Sequence, residues 1–249
     1  TYMPGSSVYL LENGDLLRTC RITSSVFSGG GIGGRVERYD WDNNLLWSYD
    51  FADNNYHQHH DIELMPNGNI LVLCWERKLL IDVILAGRDP STLVDNELWP
   101  TYIIEVEPQG SNGINIVWEW HLWDHLIQDI DASYPNFGEI AEHPELFNIN
   151  EGVVGNGITS NGDWFHVNGV DYNEDLDQIV FSSRFASEIY IIDHSTIQII
   201  ITPCWQMKSL FNGSEPIFNF AFSYNPAVCS DVSPCFIHTH THTHTHTHT

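Results

Sequence analysis

Ile62-Glu63-Leu64-Met65-Pro66-Asn67-Gly68-Asn69-Ile70-Leu71-Val72-Leu73 is a pair of apolar runs closed on a tight polar turn. Asn-Gly between apolar runs is the strongest short-range hairpin signal, because both turn positions need a positive φ that these residues reach at little cost. The arrangement also occurs earlier, as Val8–Leu11, Asn13-Gly14 and Leu16-Leu17. It returns in looser form as Val170–Tyr172, Glu174-Asp175 and Ile179–Phe181. A second hairpin follows each: Val36–Trp41 turning at Asn43-Asn44 into Leu45–Trp47, Ile103–Val106 returning as Ile116–Trp118, and Ile189–Ile192 followed by Ile197–Ile201. Asn13 and Asn67 lie 54 residues apart, and Asn67 and Asp175 lie 108 apart, twice that interval. Two hairpins in a period of about fifty residues is the pattern of a four-stranded propeller blade. The expected fold class is all-β, a β-propeller of which three to four blades are present. An all-β sandwich would supply similar strands but no reason for the period.

The bulk numbers narrow the partners. Nine basic residues against 33 acidic ones give a net charge of −24 in 249 residues. Such a field repels nucleic acid and anionic membrane surfaces, and the even spread of the acid reads as a solvated surface. No apolar stretch approaches the ~20 residues needed to span a bilayer, so membrane insertion is not expected. Cys20, Cys74, Cys204, Cys229 and Cys235 are odd in number and lack CxxC spacing, which defines neither a disulfide framework nor a zinc site. The chain begins at Thr1, which reads as a mature form or a fragment.

The blade rhythm is expected to end near residue 205. Residues 206–237 have no clear turn-and-strand pattern, and 238–249 are six His-Thr pairs. Alternating histidines suit zinc, copper or nickel, which makes a metal-binding tail one reading. The preferred one is a repetitive gene end without selected function, disordered because it has nothing apolar to bury. An open arc of blades would expose two sheet edges and an apolar flank, which predicts self-association, for instance as a homodimer.

Chemistry concentrates in a few places. Tyr56-His57-Gln58-His59-His60-Asp61 precedes the strand Ile62–Met65, where propellers turn residues toward the central channel. Here His60 is expected to act, and His57 and His59 to satisfy loop backbone. Asp163-Trp164-Phe165-His166-Val167-Asn168 holds the equivalent position in its own blade, so His60 and His166 should converge. Arg184, after Ser182-Ser183, is a scarce cation, and a guanidinium beside two imidazoles makes a clamp for phosphate or sulfate. The aromatics of Trp118–Trp123 read as core, and the Asp124-His125 pair lacks a visible nucleophile partner. Gly29–Gly34 is not followed by Lys and Ser or Thr, so it is not a phosphate-binding loop, and a need for positive φ accounts for it.

Several of these runs together resemble the bacterial arylsulfotransferase family: His59-His60-Asp61-Ile62-Glu63 with Pro66-Asn67-Gly68-Asn69, Trp118-Glu119-Trp120, Trp123-Asp124-His125, Asp163–Asn168, and Ser182-Ser183-Arg184 through Ile192-Asp193-His194. The likeness covers about Val8 to Thr196. It implies a six-bladed propeller exported to the periplasm or cell exterior. It also implies a ping-pong reaction moving sulfate from an aryl sulfate donor to a phenolic acceptor through a sulfohistidine, with no cofactor and no catalytic metal. Carried over by motif, His60, His166 and Arg184 are the catalytic positions, and His59, Trp164 and Asn168 lie at the substrate. The family's covalent histidine belongs to a Gln-His segment in a later blade, and nothing between Thr196 and Cys235 matches it. The expectation is a chain truncated or frameshifted after about residue 196, with a sulfate half-site and little or no turnover. The alternative is a propeller that binds aromatic or anionic ligands without catalysis.

Overall fold

In a computed structural model, residues 2–93, 95–152, 154–155 and 161–200 are described in full, with backbone alone for 205–209 and 220–224. The first sheet is four strands in chain order, β1 (Pro4–Leu10), β2 (Leu16–Arg21), β3 (Gly34–Tyr39) and β4 (Leu45–Asp50), all antiparallel. β3 stops at Tyr39, two residues before the expected end, and Trp41 stands exposed in the turn where Asn43 takes a φ of 65°.

The second blade starts with β5 (Tyr56–Leu64) and β6 (Ile70–Glu76). An insertion follows, β7 (Lys78–Leu79), helix α1 (Leu80–Leu85) and β8 (Glu97–Leu98), before β9 (Thr101–Gln109) and β10 (Gly113–His121) complete the sheet in the order β10-β9-β6-β5. A longer connection carries a two-stranded parallel pair, β11 (Leu126–Ile127) with β12 (Phe147–Asn148). The third sheet is β13 (Val167–Asn173), β14 (Gln178–Ser183) and β15 (Glu188–Asp193), with β16 (Ile199–Ile200) on β15. β16 is shorter than expected because Ile197 sits in a left-handed turn at φ 58°. β17 (Trp205–Ser209) pairs with β15 and with β18 (Phe220–Tyr224), so the segment expected to lack rhythm contributes two strands. Residues 238–249 lie outside the described residues. The protein is thus built almost wholly of antiparallel sheets arranged as propeller-like blades.

Packing explains why Ile70–Leu73 is apolar without interruption. Side chains alternate across a strand, and β6 is buried on both faces. Ile70, Val72 and Cys74 join Leu17, Val36, Trp47, Phe51, Ile62, Ile104 and Val106 in the core between the first and second blades. Leu71 and Leu73 face the other way, into a core with Ile103, Trp120, Val167, Val170, Ile179, Phe181 and Ile192 between the second and third. A central blade behaves like a strand of a buried parallel sheet, apolar on both sides.

The free face of the first blade is mixed. Val8 and Leu10 are exposed there. Beside them lies an ionic network in which Glu37 accepts from Arg18 at 2.8 Å and from Arg35 at 2.8 Å. Burial alone would raise the Glu37 carboxyl, but these bonds hold it down at about 2. Cys20 and Cys74 are free and buried.

The innermost strands meet at the hub. The Tyr9 hydroxyl on β1 donates to the Ile62 carbonyl at 2.8 Å and to Glu63 at 2.9 Å. From β13, the Val170 N–H donates to Asp61 at 3.2 Å. Asp61 thus ties two blades together immediately after the histidine pair.

Candidate functional site

The histidine motif is part of β5 itself, correcting its expected place in a loop ahead of Ile62. Pairing with β6 is regular up to Gln58 and resumes at Ile62, leaving His59, His60 and Asp61 in a bulge. β13 has the matching irregularity between Val167 and Gly169, beside His166 and Asn168. Bulges re-aim side chains and bend strands near functional sites. His60 has a φ of 48°, Phe165 of 69° and His166 of 45°, all left-handed and all carrying bulky side chains. Conformations of this kind cost ~1–3 kcal/mol each and persist only where the surroundings impose them.

The surroundings form a closed circuit of five side chains across two blades. The Trp75 indole N–H donates to Asp163 at 3.0 Å. The other oxygen of Asp163 bonds Nδ1 of His166. The His166 ring stands nearly perpendicular to that of His60, centroids 4.8 Å apart. Nδ1 of His60 meets Nδ1 of His59 at 2.9 Å, and His59 stacks on Trp75 at 4.0 Å, which completes the circuit. Asp163 and His59 are fully buried. In His60 and His166 the hydrogen bond engages Nδ1, leaving Nε2 as the nitrogen for a ligand.

Arg184 joins them from the turn after β14. Its backbone N–H donates to the His166 carbonyl at 3.2 Å. Its guanidinium is exposed, lies 5.9 Å over the Phe185 ring, and is near enough to act on His60. Burial first, then the charges of His166 and Arg184, push His60 down to about 4. Burial also holds His59 well below the ordinary histidine range. Two imidazoles with free Nε2 positions beside a guanidinium suit a tetrahedral oxyanion, each nitrogen donating when it carries a proton.

The remaining expected residues are placed differently. His59 lies behind His60 as its buttress. Asn168 is half-buried and accepts from the Ser182 hydroxyl at 2.9 Å. Trp164 is wholly buried in the core, with its indole N–H on the Glu151 carbonyl at 2.9 Å and Arg88 5.7 Å over its ring. His57 is also buried, its Nε2 3.2 Å from the Gly33 carbonyl. Among the described residues no group of three or more His, Cys, Asp or Glu is arranged to hold a metal ion.

Two contributors are not evident from motif composition alone. Asp163 orients His166, and an acid three residues before a histidine is the sequence signal for such a pair. The Gly29–Gly34 segment lies across the histidine motif: the His60 N–H donates to the Gly31 carbonyl at 2.6 Å, and Gly34 N–H donates to Gln58 at 2.8 Å.

The family model for arylsulfotransferase (ASST) matches residues 10–206, a span that holds every group of this circuit and the second blade entire. The chain belongs to the arylsulfotransferase family. No curated protein matches it. As an arylsulfotransferase-family member it carries the transferase assignment of that family, with sulfate donor and phenolic acceptor as the substrates the family implies.

Proposed function

We propose that this arylsulfotransferase-family protein binds the sulfuryl group of an aryl sulfate among His60, His166 and Arg184 and transfers it to a phenol. The observation that carries the reading is the 4.8 Å approach of His60 and His166 from two different blades, with Arg184 pinned to the His166 carbonyl. Imidazole N–H groups and the guanidinium would neutralise charge growing on the sulfuryl oxygens as the aryl S–O bond breaks. Asp163 supports this by holding the His166 ring through Nδ1–H, so that Nε2 faces the anion and donates once the bound anion draws a proton onto it. The site is polar where the anion sits and backed by Trp75, Trp99 and Phe27, which keep bulk water from behind it. Export to the periplasm or cell exterior belongs to the same proposal and is checked by cell fractionation.

A second reading, an aryl sulfate site without turnover, is favoured by one feature: no histidine occurs between residues 195 and 237 to take the family's covalent role. The two part on one assay. A chromogenic aryl sulfate with a phenol acceptor should release the donor phenol only when acceptor is present. His166→Asn and Arg184→Lys should each cut that rate by about a hundredfold or more, since a lysine cannot replace a forked guanidinium. Binding without acceptor-dependent release would favour the second reading, and unchanged rates in both variants would exclude the clamp.

A further inference from the structure

A cavity of about 270 Å3 opens beside the clamp, lined by Phe147, Phe165, Phe185 and Tyr190 with Glu151 and Glu188 at its edge. Its aromatic rings make a cluster: Phe147 lies 5.2 Å from Phe165 and 5.0 Å from Tyr190, and Phe165 lies 6.0 Å from Tyr190. The Tyr190 hydroxyl donates to Glu188 at 2.5 Å. Burial, then Glu188 and then Glu151, push the Tyr190 phenol far up, so both carboxylates act at the same end of that ring. The cavity and the clamp share a wall. The Phe185 ring is 5.0 Å from that of His166, the Arg184 guanidinium lies 5.9 Å over the Phe185 ring, and Phe165 directly precedes His166.

Aromatic faces combined with carboxylates are the chemistry of cation recognition, because ring quadrupoles and formal negative charge both attract an ammonium group. The volume is that of a single substituted ring. The whole protein, at −24, adds a field that draws cations in and repels phenols bearing a carboxylate. The geometry points to this cavity as the acceptor subsite, selective for a phenol that carries an ammonium substituent. The inference rests on the sulfate-transfer reading and specifies its substrate class. The ammonium lies at Glu188 and Glu151, and the hydroxyl passes Phe185 toward the clamp. In the net reaction the acceptor oxygen forms the new S–O bond and the donor aryl oxygen leaves with its electron pair. The acceptor's proton ends on the departing phenolate.

The experiment uses the full chain and three probes of matched size: tyramine, 4-ethylphenol, and 3-(4-hydroxyphenyl)propanoate. Binding is read by calorimetry, and sulfation by product formation with a nitrophenyl sulfate donor. Tyramine should bind about tenfold tighter than 4-ethylphenol, with the anionic probe weakest. Glu188→Gln, which keeps an acceptor for Tyr190, and Glu151→Gln should together erase the preference of tyramine over 4-ethylphenol. Equal binding and sulfation of all three probes would overturn the subsite but leave sulfate transfer standing. A tyramine preference in binding with no sulfation of any probe would overturn the acceptor role along with the transfer reading.

Discussion

Gly31 and His60 are packed backbone against ring. The Gly31 carbonyl accepts the His60 N–H at 2.6 Å, and any Cβ on Gly31 would fall against the His60 imidazole, closer than real carbon atoms approach. Gly31 has a φ of 75° as well, so both its conformation and its missing side chain are used. Gly31→Ala should therefore displace His60. The expected result is a loss of sulfate-ester affinity of about tenfold or more, with thermal stability lowered by ~1–3 kcal/mol. Gly30→Ala, where a Cβ meets nothing within 4 Å, is the control. If both variants bind alike, the glycine segment does not position the histidine.

Asp163 holds two partners from opposite directions, the Trp75 indole and Nδ1 of His166. Asp163→Asn can still accept from Trp75, but it frees His166 to take the other tautomer. Transfer should fall about a hundredfold or more while the melting temperature changes little. The native protein should show a low-field Nδ1–H proton signal from His166, and the variant should lose it. A persistent signal with normal turnover would show that Asp163 does not orient this ring.

Glu105 on β9 is a buried carboxylate serving three donors. Asn67 donates at 3.3 Å, Asn69 also donates, and Nε2 of His194 lies at 2.9 Å. His194 reaches Asp177 at 2.8 Å through its other nitrogen, and its carbonyl accepts the Trp118 indole N–H at 2.9 Å. One carboxylate therefore caps the Asn67-Gly68-Asn69 turn and joins the second blade to the third. Glu105→Ala should cost ~1–3 kcal/mol by chemical denaturation, since one buried acceptor shared by three exposed or half-buried donors is lost. His194→Gln should cost less. A loss below about 1 kcal/mol for Glu105→Ala would mean that the blades are held by their apolar core alone.

Two hub groups give opposite pH dependences. His60 is held at about 4 against an ordinary 6.5, so the unfolded chain binds more protons across that window, and stability falls as pH drops through it. Glu63 is raised, by burial first and then by Asp171 and Asp61 against the Tyr9 bond, from 4.5 to about 7. The native state then holds the extra proton, and stability falls as pH rises from 4.5 to 7, by at most about 3 kcal/mol. Glu63→Gln should raise the melting temperature at pH 8 and change it little at pH 4. An anion at the clamp should draw a proton onto His60, so sulfate affinity should increase between pH 7 and pH 5. Affinity independent of pH would separate His60 from the anion.

Local order was open to reading from the residues alone. The Asn-Gly turns, period-two apolar runs and regular spacing of Asn13, Asn67 and Asp175 identify three blades, because hairpins are closed by neighbouring residues and their turn chemistry is written in place. The approach of His60 to His166 was legible from equivalent positions in two of those blades, and Arg184 stood out only as a scarce cation at the end of a strand. The bulges were not legible, since an extra residue in one strand is defined only against its partner. Trp164 shows the same limit: its motif suggests a ligand, but the packing of Arg88, Glu151 and the surrounding core decides that it is buried.

Amino-acid order by itself determined the all-β blades, the family and the histidine motifs beside the inner strands, each a matter of contacts within a few tens of residues. Only tertiary structure decided which groups act as a unit. The Trp75-Asp163-His166-His60-His59 circuit, the glycine segment against His60 and the aromatic cavity at Phe185 join residues from separate segments of chain. Such contacts depend on how twisted sheets stack around a hub, and no local pattern encodes that distance.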